Sequence, residues 1–237
     1  MPVPPLTQDL RAKPIESRPR PLRVGRSLGV AAVDFYHQSW RLAALNTALS
    51  GVVLAIVYLI VWVLPLLTVL FVLVGPLAAA LMHCAVKLAQ EDELHFGDAV
   101  AGLRLHWRRG LVLGAVDLAA VVLGVSAIRF YGTEHWLFTI LVVDVLVVFV
   151  VVQLVLWPRV VFERERSLGQ LAGIALSDFL SRPLATIGFA LALFVVNLLG
   201  FAAGVLPFLT LTIAYSFLAA AHFALPRSEL REPLPER

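Results

Sequence analysis

The longest apolar stretch of the chain, residues 42–88, limits what the chain can fold into more than any other feature. As one helix rising 1.5 Å per residue it would be roughly 70 Å long, whereas the hydrocarbon core of a membrane is about 30 Å thick. The stretch must therefore reverse its direction. We place the reversal at Pro65, because a turn at Gly75-Pro76 would leave a second helix too short to span a membrane.

Six segments of the chain are long and apolar enough to form transmembrane helices, each of which needs about 20 such residues. The predicted spans are residues 42–64, 66–88, 111–130, 136–157, 184–201 and 205–225. The composition agrees with them, since 60% of the residues are apolar and 15% are charged, against about 45–50% and about 25% in soluble domains. We therefore predict an all-α membrane protein with six transmembrane helices, and the composition excludes a water-soluble enzyme.

The distribution of lysine and arginine predicts how these spans are oriented. Of the 19 basic residues, 18 fall in segments that this map places on one side of the membrane, and the exception is Arg129. Because short basic loops stay in the cytoplasm, we expect both chain termini to be cytoplasmic, in a multi-pass protein of the bacterial inner membrane. The pI of about 9.4 then reflects topology, and we predict no binding of nucleic acid.

The two ends of the chain differ in composition from the part that spans the membrane. Residues 1–26 hold six of the 14 prolines among scattered charges. Such a segment cannot bury a core, and we predict a disordered, basic cytoplasmic tail that either contacts anionic lipid headgroups or only sets the topology. The predicted transmembrane domain covers residues 27–225, and residues 226–237 form a second cytoplasmic tail.

Both long cytoplasmic connections share one pattern, in which a charged stretch is followed by apolar residues at helical spacing. These residues are Phe96, Val100, Leu103 and Trp107 in the first copy, and Leu168, Leu171, Ala175 and Phe179 in the second. We therefore predict two cytoplasmic interfacial amphipathic helices and a duplicated span-helix-span unit. Ser167 and Gln170 have the spacing of a capping box, and Pro183 suits the first turn of the following span.

Polar side chains within the predicted spans form a candidate intramembrane site, namely Asp117, Asp144, Asn46, Gln153 and Asn197. Ionisable groups are costly in a membrane and are therefore candidates for function. We expect neighbouring antiparallel spans to bring Asp117 and Asp144 within a turn or two of each other in depth. The pair could bind a cation or a proton, or share one proton. Alternatively, each carboxyl is hydrogen-bonded between helices and only fixes their packing.

The sequence predicts no catalytic residue, no metal site and no cofactor. No two of the six histidines are four residues apart, the spacing expected of zinc ligands on a helix. A glycine-rich phosphate loop, a serine nucleophile elbow and a Cys/His pair are absent, and the single cysteine, Cys84, is interpreted as a small buried hydrophobe. Gly110-x-x-x-Gly114 and Gly200-x-x-x-Gly204 match the pattern that permits close helix approach.

The first three spans carry several features that occur together in one family. They are Asn46 in the first span, Leu64-Pro65-Leu66-Leu67-Thr68 at its end, Gly75-Pro76 followed by Leu77-Ala78-Ala79-Ala80-Leu81, and the amphipathic segment 96–110. In these features the chain resembles the YesL-like family of bacterial integral membrane proteins, over roughly residues 35–225. Members are often encoded near carbohydrate-uptake ABC transporters, so the resemblance implies an accessory role in solute uptake. It supplies no catalytic or binding residues.

Two classes of function are compatible with this organisation. The first hypothesis is a non-enzymatic accessory protein, which binds a membrane-protein partner such as a transporter through its cytoplasmic amphipathic helices. The second is a small transporter or channel that uses Asp117 and Asp144. A transporter should show a polar cavity that reaches these carboxylates from water, whereas in an accessory protein they should be sealed between helices.

Overall fold

A computed structural model of the protein describes residues 24–62, 70–91, 93–132, 134–226 and 230. Within these ranges the chain forms helices and no strand, and we number the helices in chain order. They are α1 (Val24–Trp62), α2 (Val74–Glu91), α3 (Phe96–Tyr131), α4 (Trp136–Phe162), α5 (Leu168–Ser181), α6 (Pro183–Ala203) and α7 (Val205–Ala224). A 3-10 turn at residues 70–73 precedes α2, and α7 includes a π-helical turn at Phe208–Thr212.

Six of these helices are long and apolar enough to cross a membrane, which confirms the predicted all-α membrane protein with six spans. The first crossing stretch is Trp40–Leu59 of α1, and the second is Leu70–Glu91, which includes α2. The other four are α3, α4, α6 and α7 over their whole lengths. The remaining helix, α5, has only 14 residues and packs against α4 and α6.

The first predicted surface helix differs from the prediction, because it is not a separate element. Residues 96–110 form the first turns of α3, which continues without a break through Arg108, Arg109 and Gly110 into the span. None of these residues interrupts the helical hydrogen bonds as a proline would, and Gly110 is buried. The predicted duplication of the span-helix-span unit is therefore not symmetric in the structure.

The second predicted surface helix, α5, is a separate element with the predicted ends. Ser167 Oγ accepts a hydrogen bond of 3.3 Å from the backbone N–H of Gln170, and Gln170 Oε1 accepts one of 3.1 Å from the N–H of Ser167. These two bonds are the predicted capping box. Pro183 is the first residue of α6, where its missing N–H costs no helical hydrogen bond.

The described residues show where the chain reverses its direction between some of the spans. Gly75 and Pro76 are helical, in the first turn of α2, so the chain does not reverse there. Pro65, the predicted reversal point, lies outside the described residues. Between the last two spans the chain turns at Gly204, which lies between the predicted spans 184–201 and 205–225, with a φ of 137° that glycine adopts without a Cβ penalty.

The predicted tails lie largely outside the described residues. Helix α1 extends from Val24, upstream of the predicted start of the transmembrane domain at residue 27. The rest of the amino-terminal tail, residues 1–23, is not among the described residues. Of the carboxy-terminal tail the structure describes only Pro226 and Leu230, and Leu230 is buried.

Helices α2 and α3 approach each other most closely at three glycines. A Cβ atom added at Gly75 would lie 2.1 Å from the carbonyl oxygen of Gly110 and 2.8 Å from the Cα atom of Gly114. Both are backbone atoms, which cannot rotate away as a side chain can. The Gly110-x-x-x-Gly114 spacing therefore permits close packing of α3 on α2. Helix α2 lies inside the bundle, with 11 of its 18 residues buried.

The buried core lies towards one end of the bundle, which we call the basic end. We define it by the α2–α3 connection (residues 93–95), the α4–α5 connection (residues 163–167) and the last turns of α7. All residues from Leu218 to Ala224 of α7 and the following Leu225 are buried, and the buried residues of α4 all fall between Val151 and Val161. Side chains at the basic end are therefore held by a packed core.

The opposite end of the bundle is packed much less. Residues 115–131 of α3 and residues 136–150 of α4 contain one buried residue, Gly124. A Cβ atom there would lie 2.6 Å from Leu146 Cδ1, so this glycine lets α4 approach α3. The other side chains of these two segments are partly or fully exposed, as expected of helices that face lipid.

Replacing Gly75 with alanine should destabilise the protein by about 1–3 kcal/mol, because the new methyl group forces α2 away from α3. Gly29→Ala is the matched control, since a Cβ atom at this helical glycine meets nothing within 4 Å. The control should keep its stability or gain up to about 1 kcal/mol. Thermal unfolding of both variants in one detergent measures the difference, and equal stability of the two would contradict the contact.

Candidate functional site

Asp117 and Gln153 lie side by side between α3 and α4. Gln153 Nε2 donates a hydrogen bond of 2.6 Å to Asp117 Oδ1, and both side chains are partly buried. A hydrogen bond between helices in a membrane is worth about 0.6–1.7 kcal/mol. Two of the five candidate residues are thus brought together, in a contact that joins neighbouring spans.

Asp144 lies apart from this pair. It precedes Gln153 by nine residues on α4, which is roughly 13 Å along the helix axis and half a turn around it. Its side chain is exposed and forms no hydrogen bond or ion pair with any other part of the chain that the structure describes. The structure does not bring Asp117 and Asp144 together: Asp144 lies about two and a half turns along α4 from Gln153 and on the opposite face of that helix.

Asn46 joins α1 to the π-helical turn of α7. Asn46 Nδ2 donates hydrogen bonds to the carbonyl oxygens of Leu209 and Thr210, the second at 3.1 Å. Ser50 Oγ donates to the Leu209 carbonyl at 3.2 Å. The side chain of Asn46 is only 2% exposed. Since an unsatisfied backbone group within a membrane costs several kcal/mol, Asn46 stabilises an irregular stretch of a span.

Asn197 joins α6 to α7 in a similar way. Its Nδ2 atom lies 2.8 Å from Ser216 Oγ and also donates to the carbonyl oxygen of Leu193 at 2.8 Å. Ser216 Oγ in turn donates to the carbonyl oxygen of Thr212. The five candidate residues therefore form three separate contacts between helices and one exposed carboxylate, and do not converge on a single polar site.

Arg109 holds the α4–α5 connection against α3. Its Nη1 atom donates hydrogen bonds to the carbonyl oxygens of Val160 at 3.0 Å and Glu163 at 3.2 Å. Its Nη2 atom donates to the carbonyl oxygens of Arg164 and Arg166. The last carbonyls of a helix lack partners and carry partial negative charge. The guanidinium group therefore caps the carboxy-terminal end of α4 from a neighbouring helix.

Ion pairs fix the same region. Arg159 pairs with Glu163 at 3.4 Å and with Asp178 of α5, and Arg166 pairs with Glu163 at 2.9 Å. Because Asp178 lies on α5, these pairs connect the end of α4 to the surface helix. The α4–α5 connection is thus held by backbone and side-chain contacts together.

A cavity of about 970 Å³ lies between α3 and this connection. Residues 105–109 line it on one side and residues 162–166 on the other. The lining includes four arginines and two glutamates, together with apolar side chains such as Trp107 and Phe162. The cavity therefore combines net positive charge with apolar surface.

Two histidines meet beside this cavity. The rings of His83 of α2 and His106 of α3 lie with their centroids 5.4 Å apart. His106, which lines the cavity, is 1% exposed, and its Nε2 atom has no hydrogen-bond partner within the described residues. A buried polar atom without a partner costs about 1–3 kcal/mol. Such an atom suggests that a water molecule or a ligand binds next to it.

A smaller cavity of about 430 Å³ shares Phe162 with the first as a lining residue and is also lined by His83 and Lys87. Lys87 pairs with Asp98 at 2.8 Å and with Glu91 at 3.7 Å, so its charge is balanced. In the described ranges no group of three or more His, Cys, Asp or Glu side chains could hold a metal ion.

Arg109, His83 and His106 are not among the candidate residues predicted from the sequence. The one local signal is the adjacent pair Arg108-Arg109, whose charges count among the basic residues that predict the topology. The histidines have no local pattern at all, because 23 residues separate them in sequence and only the packing of α2 on α3 brings them together.

No model of a known protein family matches the chain, and no curated protein and no solved structure matches it either.

Gln153→Leu should lower the free energy of unfolding by about 0.6–1.7 kcal/mol, because it removes the hydrogen bond to Asp117. Asp144→Asn is the control on the same helix, and it should not lower the stability, since Asp144 is exposed. Titration with a denaturing detergent, monitored by circular dichroism, measures the free energy of unfolding of both variants. A Gln153→Leu variant as stable as the unchanged protein would show that the bond contributes nothing.

Arg109→Lys should destabilise the protein by about 1.5–3 kcal/mol, because one ammonium group cannot reach the four carbonyls that the guanidinium group binds. Arg104→Lys is the matched control, on the same helix but exposed, and it should be neutral. The two melting temperatures in one detergent provide the test. If both variants melt together with the unchanged protein, Arg109 is not a cap.

Proposed function

We propose that the protein is a non-enzymatic accessory subunit of the bacterial inner membrane, which binds another membrane protein involved in solute uptake. The proposal places the basic end and both termini in the cytoplasm. The location of 18 of the 19 basic residues supports this orientation. The resemblance to the YesL-like family supports the link to uptake, with carbohydrates as the class of solute.

The geometry of α5 is the observation that carries the proposal. One face of α5 is buried against the bundle through Leu171, Ala175 and Phe179. Leu176 and Leu180, one turn apart on another face, are 45% and 66% exposed. Apolar side chains at this spacing are the anchors with which a helix binds an apolar groove of a partner. We therefore assign partner binding to this ridge, Leu176 and Leu180.

A small transporter or channel is the second candidate function, since a carboxylate, that of Asp117, is partly buried within the spans. The geometry supports it less well. Asp117 is occupied by the hydrogen bond from Gln153, Asp144 projects to the opposite side of α4, and neither cavity at the basic end is lined by a candidate residue.

Photo-crosslinking from position 180 in intact membranes tests the accessory role. We expect one membrane protein of an uptake system to be captured there, and the Leu176→Glu substitution to abolish the capture. A cross-linker at the 86% exposed Leu184 of α6 is the matched control, and it should not capture the same protein. Capture of lipid alone, or equal capture from both positions, would contradict the proposal.

Solute flux separates the two functions. The purified protein in liposomes should transport no carbohydrate and no proton or cation. If flux occurs and Asp117→Asn abolishes it, the transporter is the correct function and the accessory role is wrong.

A further inference from the structure

The cavity between α3 and the α4–α5 connection has a fixed shape before anything binds to it. Arg109 attaches one wall to the other through four carbonyl oxygens. The ion pairs of Glu163 with Arg159 and Arg166 hold the connection from its other side. A site that is already ordered loses little conformational freedom on binding.

The charges of the lining are not all balanced. Four arginines face two glutamates, so the lining carries a net positive charge. Arg109 is directed at carbonyl oxygens and Arg166 is paired with Glu163. Within the described part of the chain, Arg108 and Arg164 have no carboxylate within ion-pair distance. Arg108 instead lies over the ring of Trp107, 5.4 Å from its centroid.

His106 adds an independent indication of a ligand. Its side chain is buried and lines the same cavity, and its Nε2 atom has no hydrogen-bond partner within the ranges that the structure covers. A ring nitrogen can donate a hydrogen bond to an oxygen of a bound anion. Two guanidinium groups without an ion pair, and one imidazole nitrogen without a hydrogen bond, among the described residues therefore line one cavity.

We propose that this cavity is a binding site for a phosphate group, with Arg108 and Arg164 as the residues that bind it. The planar guanidinium group matches two phosphate oxygens at once, and this makes arginine the preferred partner of phosphate in proteins. The volume of about 970 Å³ exceeds what a bare phosphate needs and suits an organic phosphate ester. Trp107 and Phe162 supply apolar surface for the rest of that molecule.

Two sources can supply this chemistry at the end of a membrane bundle. One is the headgroup of an anionic phospholipid, since basic pockets between transmembrane helices bind such headgroups. The other is a soluble phosphate ester. The neighbouring cavity is a useful contrast, because its Lys87 is already paired with Asp98 and Glu91, and we assign no anion to it.

Isothermal titration calorimetry on the full chain in a neutral detergent tests the site. The probes are inorganic phosphate, dihexanoyl phosphatidylglycerol, and dihexanoyl phosphatidylcholine as an uncharged control lipid. Arg108→Gln with Arg164→Gln should weaken binding about tenfold or more, and added salt should weaken binding to the unchanged protein. Arg104→Gln with Arg182→Gln removes the same charge from exposed positions outside the lining, and should bind as the unchanged protein does.

The probes identify the source. Binding of phosphatidylglycerol alone supports a lipid headgroup, whereas binding of inorganic phosphate, with or without the lipid, supports recognition of the phosphate group itself. Three outcomes overturn the proposal: neither probe binds, the two double variants bind equally, or phosphatidylcholine binds as tightly as phosphatidylglycerol. Because Arg108 and Arg164 are exposed, both double variants should melt within a few degrees of the unchanged protein without ligand.

Discussion

The backbone contact between α2 and α3 at Gly75, Gly110 and Gly114 determines most of the remaining architecture. In a membrane, moving an apolar side chain from lipid into a contact between helices gains no hydrophobic free energy, because the lipid is equally apolar. The helices are therefore held together by close packing and by hydrogen bonds. The three glycines allow that packing at backbone distance. The same approach brings His83 against His106, and it sets the position of the turns of α3 that carry Arg109. The cap on α4 and the cavity beside it thus depend on a contact between residues without side chains.

Polar side chains within the spans form hydrogen bonds that join neighbouring helices. Asn46 supplies donors to the π-helical turn of α7, Asn197 connects α6 to α7, and Gln153 connects α4 to α3 through Asp117. Each contact satisfies polar groups that lipid cannot satisfy. The two cavities described above, with their charged side chains, lie instead at the basic end.

Features with a local cause were predictable from the sequence, and features with a tertiary cause were not. The six spans follow from apolar length, the start of α5 from Ser167 and Gln170, and the start of α6 from Pro183. The continuity of α3 was missed because the amphipathic pattern before Gly110 also fits a separate surface helix. The pairing of Asp117 with Gln153 and not with Asp144 depends on how α4 packs on α3, and the contact of Arg109 with a connection more than 50 residues away also depends on packing. The spacing of residues along the sequence predicts neither of these contacts.

The uneven packing of the bundle has a consequence for its response to the bilayer. Near the basic end the helices are joined by a buried core, whereas the far halves of α3 and α4 contain a single buried residue, Gly124. A change of hydrocarbon thickness is accommodated by tilting helices at a cost of a fraction of a kcal/mol per Å. The halves of α3 and α4 that lie far from the basic end can tilt with few buried contacts to break. We therefore expect a change of bilayer thickness to alter the tilt of these halves, while the basic end keeps its geometry.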